Sequence, residues 1–230
     1  MTIEQAKDKL KKEGYTYFQL SEFDSEFYNW LSAFKNIKQN QLKERFTFLR
    51  ADVSEKSGKS YIGLNTDFGS FDKAKEKKDE IFSLVNSDMG FYINQIWHFT
   101  DTNVFLEIAK LDIKTYKNYV KKIIKHFFDI DESQEYYFTN MSTLYDDKCL
   151  LTNHSDGIQK NRICAILIYL NENYDENDGG CLILNNTEKV IPEFGNIAII
   201  DLQSFDVPHM VTEVIGGPGR YTILSFINKK

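Results

Sequence analysis

The fold of this chain is decided by a change of period that begins at Tyr136–Tyr145, YYFTNMSTLY. Beyond this point side chains alternate with a period of two, which is typical of β-strands. Asp178-Gly179-Gly180 predicts a tight turn between two of these strands. The predicted strands cover residues 136–145, 162–170, 181–184, 197–202, 211–214 and 221–227. Many short strands in succession indicate a sandwich or a jelly roll.

The chain before this point is predicted to be mainly helical. Thr2 and Gln5 resemble a capping box for a first helix, and Gly14 marks its end. Residues 15–20 alternate as in a strand, and either Asp24 or Ser25 is expected to cap the helix that follows. These elements predict helices that buttress a β core.

Three longer segments complete this first part. Residues 50–69 contain three glycines and are expected to form a loop, whereas residues 70–85 predict a charged helix. A broad apolar stripe over residues 101–128 predicts one long helix, capped by Asp101 and packed across a sheet. The transition near residues 130–135 shows no linker composition. We therefore expect a single domain, 1–230, with mainly helical support over 1–134 and a jelly-roll core over 135–230.

Composition and charge restrict the classes of function. With 230 residues, 42% of them hydrophobic and 14% aromatic, the chain can bury a substantial core. The net charge is −6, and lysines alternate with acids over residues 73–80, which predicts a solvated helix face and no nucleic-acid partner. Three cysteines lack metal-ligand spacing, and no apolar run has the length of a signal peptide or a membrane span. We expect a soluble, cytoplasmic protein without a membrane partner.

The candidate chemistry begins at His154-Ser155-Asp156. In a strand, residues i and i+2 point to the same side, so His154 and Asp156 can approach one metal ion. His209 is the expected third ligand and must come from another strand. Two imidazoles and one carboxylate that leave positions open are typical of non-heme Fe(II) oxygenases. The alternative is a surface histidine with a coincidental aspartate.

Arg220 lies at the start of the last predicted strand. An arginine buried in a jelly roll needs an anionic partner because it cannot lose its charge. A small dicarboxylate fits this need, since the guanidinium group binds a carboxylate through two hydrogen bonds. The alternative is that Arg220 ends the preceding glycine-rich loop in solvent.

Over roughly residues 136–228, the sequence resembles the 2-oxoglutarate- and Fe(II)-dependent dioxygenases, in particular the prolyl-4-hydroxylase-like branch and its hypoxia-sensing prolyl hydroxylases. The shared features follow one order: a strand that starts with arginine and ends in Tyr-Leu-Asn, a Gly-Gly pair, a Pro-His pair with a nearby valine, and an Arg-Tyr pair. They correspond here to residues 162–171, Gly179-Gly180, Pro208-His209 with Val211, and Arg220-Tyr221. The resemblance implies an α+β fold with a double-stranded β-helix core, jelly-roll or cupin-like.

The resemblance also implies roles for individual residues. Three side chains would ligate Fe(II): His154, Asp156 and His209. Arg220 would bind the distal carboxylate of 2-oxoglutarate and joins these three as the catalytic set. The rest of the cosubstrate pocket would be formed by Tyr169, Tyr145, Leu167, Val211, Thr222 and Phe226. Tyr145 has an equal alternative as a plain sheet aromatic, and His98 and His126 are expected to be structural.

The activity implied is hydroxylation of an unactivated C–H bond with Fe(II), 2-oxoglutarate and O2, with release of succinate and CO2; ascorbate is a candidate stimulant. The first candidate substrate is a prolyl or other residue in a protein or peptide, and the second is a free amino acid or related metabolite. A third hypothesis is a non-catalytic jelly-roll binding module. Residues 146–151 depart from the family pattern at the substrate entrance. The sequence leaves the oligomeric state open.

Overall fold

The computed structural model describes residues 1–55, 60–85, 90–130 and 135–230. Its α-helices are α1 (Ile3–Glu13), α2 (Leu20–Phe23), α3 (Ser25–Leu31), α4 (Gln39–Lys43), α5 (Phe71–Val85), α6 (Thr102–Ile108) and α7 (Ile113–Phe128). The capping box of Thr2 and Gln5 is confirmed, and Gly14 ends α1 with a φ of 80°. Of the two candidate caps of α3, Asp24 is the one that accepts from the Phe27 N–H, and Ser25 is the first helical residue. Among the described residues, no helix is both long enough and apolar enough to cross a bilayer.

The prediction of one helix over residues 101–128 is wrong in one respect, because the chain breaks there into α6 and α7. Asp101 caps α6 as expected, but Lys110 adopts a φ of 58° and Asp112 caps α7 through the Thr115 N–H. Both helices bury apolar side chains in the same core. The break therefore leaves the apolar faces of both helices in one core.

The strands are β1 (Tyr15–Gln19), β2 (Phe48–Glu55), β3 (Ser60–Asp67), β4 (Phe91–Asp101), β5 (Tyr136–Tyr145), β6 (Leu150–His154), β7 (Arg162–Tyr169), β8 (Leu182–Leu184), β9 (Glu188–Val190), β10 (Asn196–Asp201), β11 (His209–Val211) and β12 (Arg220–Lys229). The long strand β4 and the two short strands β6 and β9 were not predicted. The strand expected at 211–214 begins and ends earlier, and Val214 forms only an isolated bridge to Gly179. Asp178-Gly179-Gly180 ends a longer connection from β7 to β8.

The loop predicted at residues 50–69 is wrong, because β2 and β3 form a hairpin there; residues 56–59 lie outside the described part. Leu49, Ala51 and Val53 alternate inward beneath α5, and β3 adds Ile62 and Leu64 to the same cluster. The sequence of β2 shows this period of two, but the three glycines of the segment favoured the prediction of a loop.

The strands follow one antiparallel order: β1-β10-β7-β12-β5-β4-β6-β11-β8-β9. β4 joins two layers, because its residues 98–101 pair with β5 and its residues 95–96 pair with β6. The short strands β6, β11, β8 and β9 thereby fold over the longer ones. This nearly closed sheet confirms the predicted double-stranded β-helix with flanking helices.

Each long strand of the roll separates two cores. On β12, Tyr221, Ile223 and Ile227 pack against the helices, mainly α1, α3, α6 and α7. The alternate residues Leu224 and Phe226 point into the roll. Burial of each large apolar side chain contributes about 1.5–3 kcal/mol, so the helical layer is held firmly.

The division predicted at 134/135 borders residues 131–134, which lie outside the described part, and the single domain stays a prediction.

Candidate active site

The structure brings His154, Asp156 and His209 together, with donor atoms within 4.8 Å of one another. His154 ends β6 and His209 begins β11, and the two are direct partners in the strand pairing. Their ring centroids lie 4.3 Å apart. Asp156 follows two residues after β6, where Gly157 turns the chain with a φ of 68°. Strand register therefore assembles the cluster that the sequence predicted.

Backbone carbonyls fix which nitrogen of each ring is available. His154 Nδ1 lies 3.0 Å from the Thr152 carbonyl, and His209 Nδ1 lies 3.0 Å from the Val207 carbonyl. Because a carbonyl can only accept, each Nδ1 carries the proton and each Nε2 presents a lone pair. Burial lowers the pKa of His209, and the neighbouring His154 lowers it further. The hydrogen bond to the Val207 carbonyl and the charge of Asp156 raise this pKa, but they do not outweigh the first two effects. A neutral imidazole is the form that ligates a metal.

The cluster faces a cavity of about 490 Å³ inside the roll. The predicted residues Tyr145, Leu167, Val211, Thr222 and Phe226 all contribute to its wall, and Arg220 does as well. Tyr169 is not part of the wall, and its hydroxyl instead accepts from Arg220 Nη2 at 3.4 Å. The cavity volume lies in the range of small-molecule sites.

Arg220 is 1% exposed and forms no ion pair with any acidic side chain in the described ranges. Its guanidinium carbon lies 4.7 Å from the ring centre of Tyr145 and 5.1 Å from that of Tyr169. Arg220 Nε and the Thr222 hydroxyl are both buried without a hydrogen-bond partner. A buried cation with unused donors costs several kcal/mol, so this end of the cavity is suited to an anion.

The neighbours of Arg220 hold it in this position. The Asn171 amide donates to the Gly219 carbonyl, and its oxygen accepts from the Tyr221 N–H at 2.8 Å, so it fixes the chain on both sides of Arg220. Gly180 has a φ of 61°, and a Cβ there would lie 2.6 Å from the Tyr174 hydroxyl. Burial raises the pKa of Tyr145 and Tyr169, although Arg220 opposes the shift. Both hydroxyls are therefore neutral at pH 7.

The donor set and the cavity fit the implied groups. Two neutral imidazoles and a carboxylate on one side leave room on the cavity side, which suits Fe(II). The uncompensated Arg220 fits the far carboxylate of a small diacid. The ligand and cosubstrate roles of these residues stay predictions.

A second cluster, which the sequence did not predict, lies behind Tyr145. Asp146 Oδ1 lies 2.6 Å from Lys78 Nζ and 3.3 Å from His98 Nε2, and it accepts from the Cys149 thiol at 3.0 Å. All four residues are buried. Burial would raise the pKa of Asp146, but His98, Lys78 and Cys149 outweigh it and hold that pKa well below its usual range. His98 thus has partners that lie far from it in sequence.

Other wall residues were also missed as site residues. Arg50 and Trp97 come from β2 and β4, and Arg162 opens β7. Arg50 and Trp97 are direct partners in the pairing of β2 with β4. The composition offered one signal, since arginine is rare in this lysine-rich chain.

Comparison with known proteins also points to a 2-oxoglutarate- and Fe(II)-dependent oxygenase fold. Residues 141–228 match the family model for the 2OG-Fe(II) oxygenase superfamily. A prolyl-4-hydroxylase from Pseudomonas putida is similar in structure, with 14% identity, coverage of 98% of both chains and a TM-score of 0.58. A Trichoplax adhaerens prolyl hydroxylase, solved with a peptide of hypoxia inducible factor, shows 16% identity, coverage of 98% of this chain and 88% of that one, and a TM-score of 0.59. No curated protein matches the sequence.

Proposed function

We propose that this chain, a 2OG-Fe(II) oxygenase by the match of its residues 141–228, hydroxylates an unactivated C–H bond and releases succinate and CO2. One observation carries the proposal: the wall of a single cavity contains the cluster of His154, Asp156 and His209 and also Arg220, a buried cation without an acidic partner among the described residues. The intact cluster argues against a non-catalytic binding module.

The chain's own residues would bind and orient the reactants. His154 and His209 would ligate iron through Nε2, and Asp156 through a carboxylate oxygen. Arg220 would hold the far carboxylate of 2-oxoglutarate, with Tyr169 as its positioning residue. Bound there, iron and 2-oxoglutarate would supply the activation of O2 that C–H hydroxylation requires. The apolar wall around Leu167 and Val211 would exclude water from the reaction.

The first candidate substrate is a prolyl or other residue in a protein or peptide. The Trichoplax structure supports it, because that similar fold was solved with a peptide. A free amino acid or related metabolite is the second candidate. The cavity volume of about 490 Å³ supports it, since this space suits a small molecule beside the cosubstrate.

The experiment is a turnover test with oxygen as the trigger. Protein, Fe(II), 2-oxoglutarate and a panel of prolyl peptides or free amino acids are mixed without oxygen, and O2 is then admitted. We expect succinate together with a substrate that gains one oxygen atom. The matched control is His209→Ala, which should form neither product. Succinate formation that is independent of iron would contradict the proposal.

A further inference from the structure

Strand pairing holds only part of the cluster of candidate metal ligands in place. β6 and β11 pair at His209–His154 and at Val211–Leu151, and the register shifts between these two pairs. Asp156 lies two residues beyond the end of β6, where the chain has left the sheet. Its position relative to His209 therefore depends on contacts between the loop that follows β6 and the loop that precedes β11.

Ser155, which lies between His154 and Asp156, shapes the turn that carries the carboxylate. Its Oγ accepts a hydrogen bond from the Gly157 N–H at 3.0 Å. A serine hydroxyl that accepts from the N–H two residues later closes a local turn. Gly157 completes this turn with a φ of 68°, a conformation that glycine adopts without strain. The Ser155 hydroxyl thereby fixes the direction of the backbone at Asp156.

The same hydroxyl also contacts the loop that precedes β11. Ser155 Oγ donates a hydrogen bond to the Asp206 carboxylate. Asp206 lies directly before Val207, whose carbonyl lies 3.0 Å from His209 Nδ1 and orients that ring. Ser155 therefore connects the turn at Asp156 to the segment that orients His209.

The Ser155–Asp206 hydrogen bond is suited to holding the two loops together. A charged acceptor makes a hydrogen bond about twice as strong as a neutral one. Both residues are exposed and lie outside the cavity wall, so they serve neither the core nor a molecule in the cavity directly. Gln159 tethers the far end of the same loop, because its side-chain amide donates to the Asp156 carbonyl and its N–H donates to the Leu202 carbonyl at 2.7 Å. The contact with Asp206 is then the tether on the His209 side.

We propose that Ser155 and Asp206 are positioning residues for metal binding, whose hydrogen bond keeps Asp156 and His209 close enough to share one ion. The inference rests on the proposed function, in which Asp156 and His209 are ligands, and adds two residues outside the ligand set. Loss of a residue that orients ligands lowers metal affinity by about ten- to hundredfold. Because Ser155 acts through the backbone, we expect the lower end of this range.

The test measures Mn(II) affinity by calorimetry, without oxygen and without 2-oxoglutarate. Ser155→Ala and Asp206→Ala should each weaken Mn(II) binding about tenfold. The double variant should lose no more than either single variant, because both changes remove the same hydrogen bond. The free energy of unfolding of the metal-free protein should stay unchanged in all three variants, since both side chains are exposed.

Conservative variants and a charge control separate positioning from other effects. Ser155→Thr keeps the hydroxyl and should keep the affinity. Asp206→Asn keeps an acceptor, and its neutral hydrogen bond is about half as strong, so the expected loss is about threefold. Glu213→Ala removes an exposed acid four residues after His209 and should leave Mn(II) affinity unchanged.

Three outcomes on affinity would overturn the inference: additive losses in the double variant, unchanged affinity in either alanine variant, or an equal loss in Asp206→Asn and Asp206→Ala. Lower stability of the metal-free alanine variants would also overturn it, because it would show a general structural role. Absence of Mn(II) binding by the original protein would overturn the ligand assignment and the inference with it. If the original protein binds Mn(II) but forms no oxygenated product with Fe(II), the hydroxylation alone is contradicted.

Discussion

Two clusters in this molecule are built from similar side chains but differ in what completes them. The cluster of His154, Asp156 and His209 opens on a cavity, whereas His98, Asp146 and Cys149 are fully enclosed; in each, the donor atoms lie within 4.8 Å of one another. The enclosed cluster contains its own cation, because Lys78 Nζ lies 2.6 Å from Asp146. The enclosed cluster thus has its counter-charge within the fold, whereas no lysine or arginine of the described residues forms an ion pair with the open cluster.

The same contrast applies to the two buried cations. Lys78 and Arg220 are 2% and 1% exposed. Lys78 has a carboxylate partner and also donates to the Asp147 carbonyl at 2.9 Å. Among the described residues, Arg220 contacts the ring faces of Tyr145 and Tyr169 and donates one long hydrogen bond, to the Tyr169 hydroxyl. Lys78 is therefore neutralised within the fold, whereas Arg220 has no acidic partner among the described residues.

The largest effect is expected at the open cluster. Asp156→Ala removes its only carboxylate, so Fe(II)-dependent formation of succinate should fall to background. The free energy of unfolding should change little because Asp156 is only partly buried. The matched control is Asp72→Ala, at an exposed position on α5. Undiminished turnover in the Asp156 variant would remove this residue from the site.

At the enclosed cluster the expected effect is on stability. Lys78→Met leaves Asp146 buried without its cation, which should lower the free energy of unfolding by about 3–5 kcal/mol in urea titrations. The double variant Lys78→Met with Asp146→Leu should lose much less, since no unpaired charge remains. If the single and double variants lost equal stability, the ion pair would not be the cause.

At Arg220 the free energy of unfolding is expected to change in the opposite direction. Without 2-oxoglutarate, Arg220→Met should raise the free energy of unfolding by about 1–3 kcal/mol, because a buried cation without an anion is removed; the loss of stacking on two tyrosines offsets part of the gain. The variant should also lose the stabilisation that 2-oxoglutarate with Mn(II) gives the original protein. Lower stability without the diacid would show that Arg220 has a stabilising partner in the protein.

The smallest effect is the acid response of Asp146. Its pKa is depressed in the folded protein, so its contribution is present above the unfolded value of about 3.9 and is lost as the pH falls from there through the folded value. The stability difference between the original protein and Asp146→Asn should therefore shrink below about pH 4. Urea unfolding from pH 7 to pH 2 measures it. A difference that does not change with pH would contradict the depressed pKa.

Sequence reasoning succeeded where a short-range rule determines the structure. A period of two placed Leu167 and Phe226 on the inner face, and the cap residues Thr2 and Asp101 marked helix starts. The three members of the open cluster were found because their spacing and a family resemblance agreed. Their chemical roles remain predictions that the variants above address.

Sequence reasoning failed where the local structure depends on contacts between distant segments. Lys78 lies on a helix whose charged pattern indicated solvent, yet α5 buries it against Asp146, 68 residues away. β6 is short and without alternation, and it exists because β4 and β11 pair with it. Arg50 reaches the cavity only through the hairpin that was expected to be a loop. Such pairings are decided by tertiary structure.

The pairing of β6 with β11 is short and irregular, with only His209–His154 and Val211–Leu151 in register. An ion bound by both histidines would cross-link β6 and β11 where their pairing is weakest. Removal of the ion with a chelator would then loosen the edge of the roll as well as stop turnover. The layer formed by β6, β11, β8 and β9 would become the first region open to proteases. Metal supply would in that case regulate the lifetime of the protein together with its activity.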